Sequence, residues 1–147
     1  MKLTKRVLHL KTKPIDFKYP LQNEQLAKEM LQFMHVSGGV GLAANQVGLR
    51  YRMFVMDVDH NPKVFFNPTI MSYSENKVPY LEGCLSYPNE SVELDRPEKV
   101  VLSYQDAYGN FLTEEFMNLE ARVVQHEVDH LDGMTMHDRK KENNNAE

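Results

Sequence analysis

Residues 21–36 place Leu26, Met30, Phe33 and Met34 three or four positions apart, the spacing of one helical face, and Ser37-Gly38-Gly39 then ends the run. The pattern predicts an amphipathic helix packed on a larger body. The next stretch, Gly39 to Gly48, is too rich in glycine for a helix and too apolar for an ordinary exposed loop. Small residues there let a second backbone come close. Arg52 to Val58 reads as an apolar strand, Asp59-His60-Asn61-Pro62 as a turn, and Lys63 to Asn67 as a strand that stops before Pro68. Further strands are read at Ile70–Tyr73, Val92–Leu94, Lys99–Tyr104 and Phe111–Phe116, with Tyr108-Gly109-Asn110 as a hairpin turn between the last two. Short strands joined by turns favour antiparallel pairing. A second helix is expected to start at Asn118, as its cap, and to stop at Asp132-Gly133. Strands in the middle with a helix at each side make an α+β domain. Beyond Arg139 the chain is polar apart from Ala146, so one domain is expected over residues 1–139, followed by a disordered tail over 140–147.

The second helix carries the candidate chemistry. At about 100° per residue, Leu119, Val123, His126 and His130 fall on one arc with Glu127 at its edge. Ala121, Val124, Val128 and Leu131 form an apolar flank, and Arg122, Gln125 and Asp129 form a side read as polar. Two imidazoles four positions apart reach a single ion together, while Glu127, one step round, reaches a water on that ion rather than the ion itself. That is a layout for metal-assisted hydrolysis. The bland alternative is a pair of core histidines bonded to backbone. Burying both without a shared partner leaves several polar nitrogens to satisfy, which favours the metal.

Composition narrows the partners. A formal charge of −4 over 147 residues argues against a general nucleic-acid surface, and no run approaches the roughly 18 apolar residues of a membrane span. Lysines and arginines near the N-terminus are not followed by an apolar stretch of the kind that directs export, so a cytoplasmic protein is expected. The single cysteine, Cys84, excludes an intramolecular disulfide and fits a reducing compartment.

A tetrahedral catalytic metal needs three protein ligands and one open position. Downstream candidates for the third are His137, Asp138 and Glu142, in or beside the polar tail. Upstream stands Glu82-Gly83-Cys84-Leu85-Ser86, where a thiolate would complete a Cys-His-His set and the glycine permits a tight backbone at the ion. Spacing alone leaves Cys84 open between ligand and structural cysteine.

Three segments, Gly39-Val40-Gly41-Leu42-Ala43-Ala44-Asn45-Gln46, Glu82-Gly83-Cys84-Leu85-Ser86 and Gln125-His126-Glu127-Val128-Asp129-His130-Leu131, resemble the signature motifs of the peptide deformylases, in that family's order. The resemblance runs over about residues 7–137. It implies antiparallel sheets packed around a central metal-binding helix, and one divalent ion held by Cys84, His126 and His130. Fe2+ is the family's usual ion, and Zn2+, Ni2+ or Co2+ can replace it; geometry alone does not choose among them. It implies removal of the formyl group from formylmethionine at the N-terminus of nascent chains, through a metal-bound hydroxide with Glu127 as general base. Gln46 and the backbone N–H of Leu85 would meet the developing oxyanion. Glu82 would orient a ligand. An extended peptide would lie along Val40 and Gly41, next to Gly83, with Val40, Val123 and His126 around the methionine side chain. Val123 reads equally well as plain core.

The chain departs from the family in two places. Val7-Leu8-His9 resembles the usual N-terminal pattern, but no Pro-Leu-Arg run follows. The long C-terminal helix of many bacterial members is not expected in the tail, which leaves ribosome contact open and points to a monomer that meets its substrate by diffusion. Two other readings compete. A small zinc endopeptidase would use His126, His130 and Glu127 without needing Cys84 or Gln46, and a structural metal module would close its site with a fourth ligand such as His137.

Overall fold

A computed structural model describes residues 1–145. Helix α1 runs Pro20–Val36, opened by a proline whose missing N–H costs nothing there, and ends where Gly38 turns left-handed at φ +78°. Strands β1 (Gly41–Ala43), β2 (Met53–Asp57), β3 (Pro62–Tyr73), β6 (Lys99–Gln105) and β7 (Phe111–Met117) form an antiparallel sheet in the order β1-β2-β3-β6-β7. Strands β4 (Lys77–Cys84) and β5 (Tyr87–Pro97) form a separate hairpin. Helix α2 (Asn118–Leu131) lies between the two, and α3 (Met136–Asn145) packs on β5. Among the described residues no helix is long and apolar enough to cross a membrane.

Alternation along β2 builds two cores from one strand. Phe54 and Met56 point to the α2 side, where they join Phe65, Leu102, Phe116, Val124 and Leu131. Met53 and Val55 point to the α1 side and join Met30, Met34, Leu42 and Phe66. Phe65 stacks on Phe54 at 4.5 Å between ring centroids and meets Phe116 edge-on at 5.6 Å. These contacts fix the sheet face on which α2 rests.

Several local expectations change. Pro68 does not end the strand. Instead β3 passes through it with a break in register between Phe66 and Thr69, where Asn67 is left-handed at φ +49° and its side chain bonds the backbone N–H and C=O of Ile15. Asn118 does not cap α2. Met117 stands at the cap without a side-chain bond, while Asn118 is left-handed at φ +57° and donates its N–H to Glu98. Strand β4 was not expected, and β5 extends well beyond Val92–Leu94. The side of α2 read as polar is buried: Arg122, Gln125 and Asp129 are each less than 10% exposed.

The tail is helical to Asn145 rather than disordered; Ala146 and Glu147 lie outside the described residues. A reciprocal cap starts this helix. Thr135 Oγ1 accepts the Asp138 N–H at 3.3 Å, and Asp138 Oδ2 accepts the Thr135 N–H at 2.9 Å.

Candidate functional site

A cleft of about 460 Å³ opens between β1, the β4–β5 hairpin and α2. Val40, Gly41, Gln46, Gly83, Cys84, Leu85, Val123, His126 and Glu127 all line it. His130 stands behind them, fully buried. Val123 belongs to the cleft wall and to the apolar core at once, so its two readings are compatible. Gly41 is required by space. A Cβ there would sit 2.5 Å from Glu127 Oε2 and 2.7 Å from Val123 Cγ1.

Cys84, His126 and His130 converge, with one candidate ligand atom from each lying within 4.8 Å of the others. The two Nε2 atoms are 3.2 Å apart, and Cys84 Sγ is 3.4 Å from His130 Nε2. A tetrahedral ion bonded at about 2.1 Å to nitrogen and about 2.3 Å to sulfur would set these edges near 3.4 and 3.6 Å. The donor set therefore fits a divalent ion in both chemistry and size. Glu127 points the same way, because its Oε1 is buried and has no hydrogen-bond partner among the described residues. Burial pushes its pKa up to about 7, against the opposing influence of His126. A carboxyl poised near neutrality suits taking up and returning a proton.

Gln46 is oriented by its neighbours rather than by chance. Its Oε1 accepts the Ala43 N–H at 2.9 Å, which turns Nε2 toward Ser86 Oγ at 3.0 Å and Cys84 Sγ at 3.5 Å. The side-chain donor thus faces the ligand group. The bond to Ala43 is local to the loop, while those to Ser86 and Cys84 cross to the β4–β5 hairpin.

Glu82 is the hub of a buried ion network. Its Oε1 accepts from His126 Nδ1 at 2.9 Å, Arg96 grips both its oxygens at 2.6 and 3.1 Å, and Arg122 reaches Oε2 at 2.9 Å. Burial alone would raise the Glu82 pKa, but the bonds from His126 and Arg96 outweigh it and hold the carboxyl well below its usual range. An anion fixed on Nδ1 leaves Nε2 of His126 directed at the ligand group. The His126 pKa is opposed by burial and raised by its bonds to Cys84 and Glu82, whereas burial and the neighbouring His126 charge push that of His130 down.

Sequence reasoning missed Arg96, Arg122, Ser86 and Asp129 as parts of the site. The signal was present in Arg122, Gln125 and Asp129, a polar stripe at helical spacing, and a buried stripe of this kind needs charged partners. The downstream ligand candidates are engaged elsewhere. His137 faces the Tyr87 ring and Glu90 Oε1 at 3.2 Å, Asp138 caps α3, and Glu142 pairs with Arg139 at 3.1 Å. None of them joins the ligand group, which among the described residues consists of Cys84, His126 and His130.

The family model for polypeptide deformylase matches residues 1–146. The chain belongs to this family. Peptide deformylase 2 of Gloeobacter violaceus is 45% identical over 120 residues, which cover 78% of this chain and 64% of that protein, so the match spans just under two thirds of the relative's length. Among solved deformylase structures, the crystal structure from Thermotoga maritima superposes with a TM-score of 0.90 at 37% identity, covering 94% of this chain and 95% of that one. A class I type b peptide deformylase from Acinetobacter baumannii, solved with Met-Ala-Ser bound, gives 0.90 at 32% identity and covers 95% and 97% of the two chains. The deformylase likeness thus extends over the whole architecture, both sheets included.

Proposed function

We propose that this chain is a metal-dependent hydrolase that removes the formyl group from formylmethionine at the N-terminus of newly made polypeptides and releases formate. The observation that carries this reading is the meeting of Cys84, His126 and His130 in one cleft with the buried carboxyl of Glu127. The likeness to a deformylase that holds Met-Ala-Ser supports it, since that tripeptide has the form of a product.

Cys84 Sγ and the Nε2 atoms of His126 and His130 would hold the ion, Fe2+ first by family habit. When bound there, a divalent ion acidifies water and polarises a carbonyl oxygen. Glu127 takes the proton of the attacking water, and the water oxygen bonds to the formyl carbon. Charge then builds on the formyl oxygen, and Gln46 Nε2, which faces Cys84 Sγ, and the backbone N–H of Leu85, a residue of the cleft wall, would meet it. Glu127 passes its proton to the leaving amine as the C–N bond breaks, so formate and a free N-terminal methionine result. Among the described residues β1 pairs on one side only, with β2, and Val40 and Gly41 line the cleft beside it. An extended peptide can add there as a further strand, held by backbone groups and hence with little sequence preference. Val123, Val40 and His126 surround the methionine side chain. A reducing, cytoplasmic setting would suit a thiolate ligand, and a monomer is the assembly expected.

The test is formate release from formyl-Met peptides by protein loaded anaerobically with ferrous iron, because oxidation of the metal or of Cys84 would silence an active enzyme. Release of formate is expected, with internal peptide bonds left intact. Glu127→Ala is expected to remain folded and metal-loaded while losing nearly all turnover. Cleavage of internal bonds, or full activity in Glu127→Ala, would refute the proposal.

A further inference from the structure

We propose that Arg139, on the C-terminal helix α3, is a positioning residue for His126 and governs how tightly the metal is retained. The inference rests on the reading that Cys84, His126 and His130 hold an ion. Arg139 and His126 are joined by an unbroken line of ion pairs. Arg139 Nη2 and Nε grip Asp129 at 2.7 and 3.2 Å, and Arg96 Nη1 reaches Asp129 Oδ2 at 2.8 Å. The same guanidinium takes both oxygens of Glu82, whose Oε1 holds His126 Nδ1. Arg96 is 3% exposed and Glu82 is likewise 3% exposed, so neither has water as a substitute partner.

Arg96 is therefore claimed by two buried carboxylates. A guanidinium is a planar fork, and it cannot lean toward one carboxylate without loosening its grip on the other. Arg139 supplies Asp129 with a cation of its own. Without it, Asp129 draws Arg96 away from Glu82, Glu82 follows, and His126 loses the acceptor that aims its Nε2. Helix α3 suits this task because charge fastens it more than hydrocarbon does. Met136 is its one buried residue, and its polar holds include Arg139 on Asp129 of α2, His137 beside Glu90 of β5 at 3.2 Å, and a bond from Asn143 Nδ2 to the Asp95 carbonyl of β5 at 3.3 Å.

The experiment follows loss of Co2+ from the reconstituted protein to a chelator, read by the thiolate-to-cobalt absorption band, which reports the metal centre independently of turnover. Groups bonded directly to a metal ligand change affinity by about 10–100-fold, so Arg139→Ala, three links further out than Glu82, is expected to speed cobalt loss about 3–10-fold. Arg139→Lys is expected to restore most of the retention. Asp129→Asn in the Arg139→Ala background is expected to restore it too, because it removes the competing claim on Arg96. Arg52→Ala, which breaks the 2.8 Å pair with Asp132 at the same end of α2, is expected to leave retention unchanged. Should Arg139→Ala fail to fold, Arg139→Gln keeps part of the aliphatic stem, loses the charge and carries the same test.

An Arg139→Ala protein that holds cobalt as well as Arg52→Ala does, or a double variant that loses it faster than Arg139→Ala, overturns the proposal. Wild-type protein that binds cobalt without the thiolate band overturns the metal-centre reading instead, and this one with it.

Discussion

The two sides of α2 are held by different forces. Toward the five-stranded sheet the helix presents Ala121, Val124, Val128 and Leu131 to Phe54, Phe65, Leu102 and Phe116, a contact made of hydrocarbon. Toward the β4–β5 hairpin it presents Arg122, His126 and Asp129 to Glu82 and Arg96, a contact made of charge. Apolar burial is strong and non-directional, so it fixes that the helix packs without fixing its rotation to a fraction of an ångström. Forked ion pairs are directional. The hairpin delivers Cys84 to two imidazoles on the helix, and directional contacts hold that register where hydrophobic contacts would allow slippage. Adhesion comes from one side and alignment from the other.

This contrast can be broken from either side. Glu82→Ala strands Arg96 and Arg122 in the interior and is expected to cost about 3–5 kcal/mol of stability. Because Glu82 also holds His126, metal affinity is expected to fall about 10–100-fold in the same variant. Denaturant titration and metal titration must therefore both move. Phe65→Ala attacks the other side. A loss of about 3–5 kcal/mol is again expected, from lost burial and a residual cavity, but folded molecules should bind metal as the wild type does. If the folded fraction of Phe65→Ala also binds weakly, the division of labour is wrong.

The smallest effect is expected at high pH. Burial and the bond to Glu114 raise the Tyr104 pKa to about 12 in the folded protein. A raised folded-state value means the contribution is complete below the unfolded pKa of about 10 and is lost as pH climbs through 12. Tyr104 touches Phe65 on the sheet side, so alkali should loosen that side first. Melting curves of wild type and Tyr104→Phe are expected to differ below pH 10 and to converge above 12.

The apolar side of this contrast was legible in the sequence and the charged side was not. Helix α2 announced itself through the spacing of Leu119, Val123, His126 and His130, and β2 through its apolar run. Strand β4 was hidden because Val78, Tyr80 and Leu81 are all exposed, so no alternation marks it. Arg122 and Asp129 read only as polar because their partners lie far along the chain, Arg96 being 26 and 33 positions from them. Helix α3 lacks an apolar stripe, and its starting signal, Thr135 with Asp138 three residues on, went unread. The ligand set itself was open to residue spacing. Resemblance supplied Cys84, and the geometry places its sulfur beside the imidazoles.

Strand β1 is three residues long, and under the proposed docking of an extended peptide beside it that brevity has a kinetic consequence. A peptide docked along so short a rail gains only a few backbone hydrogen bonds, each contributing about 0.5–1.5 kcal/mol. Weak grip means fast departure, since residence time tracks the off-rate more than the on-rate. A longer rail would have made a tighter binder and a slower machine, clogged by its own products.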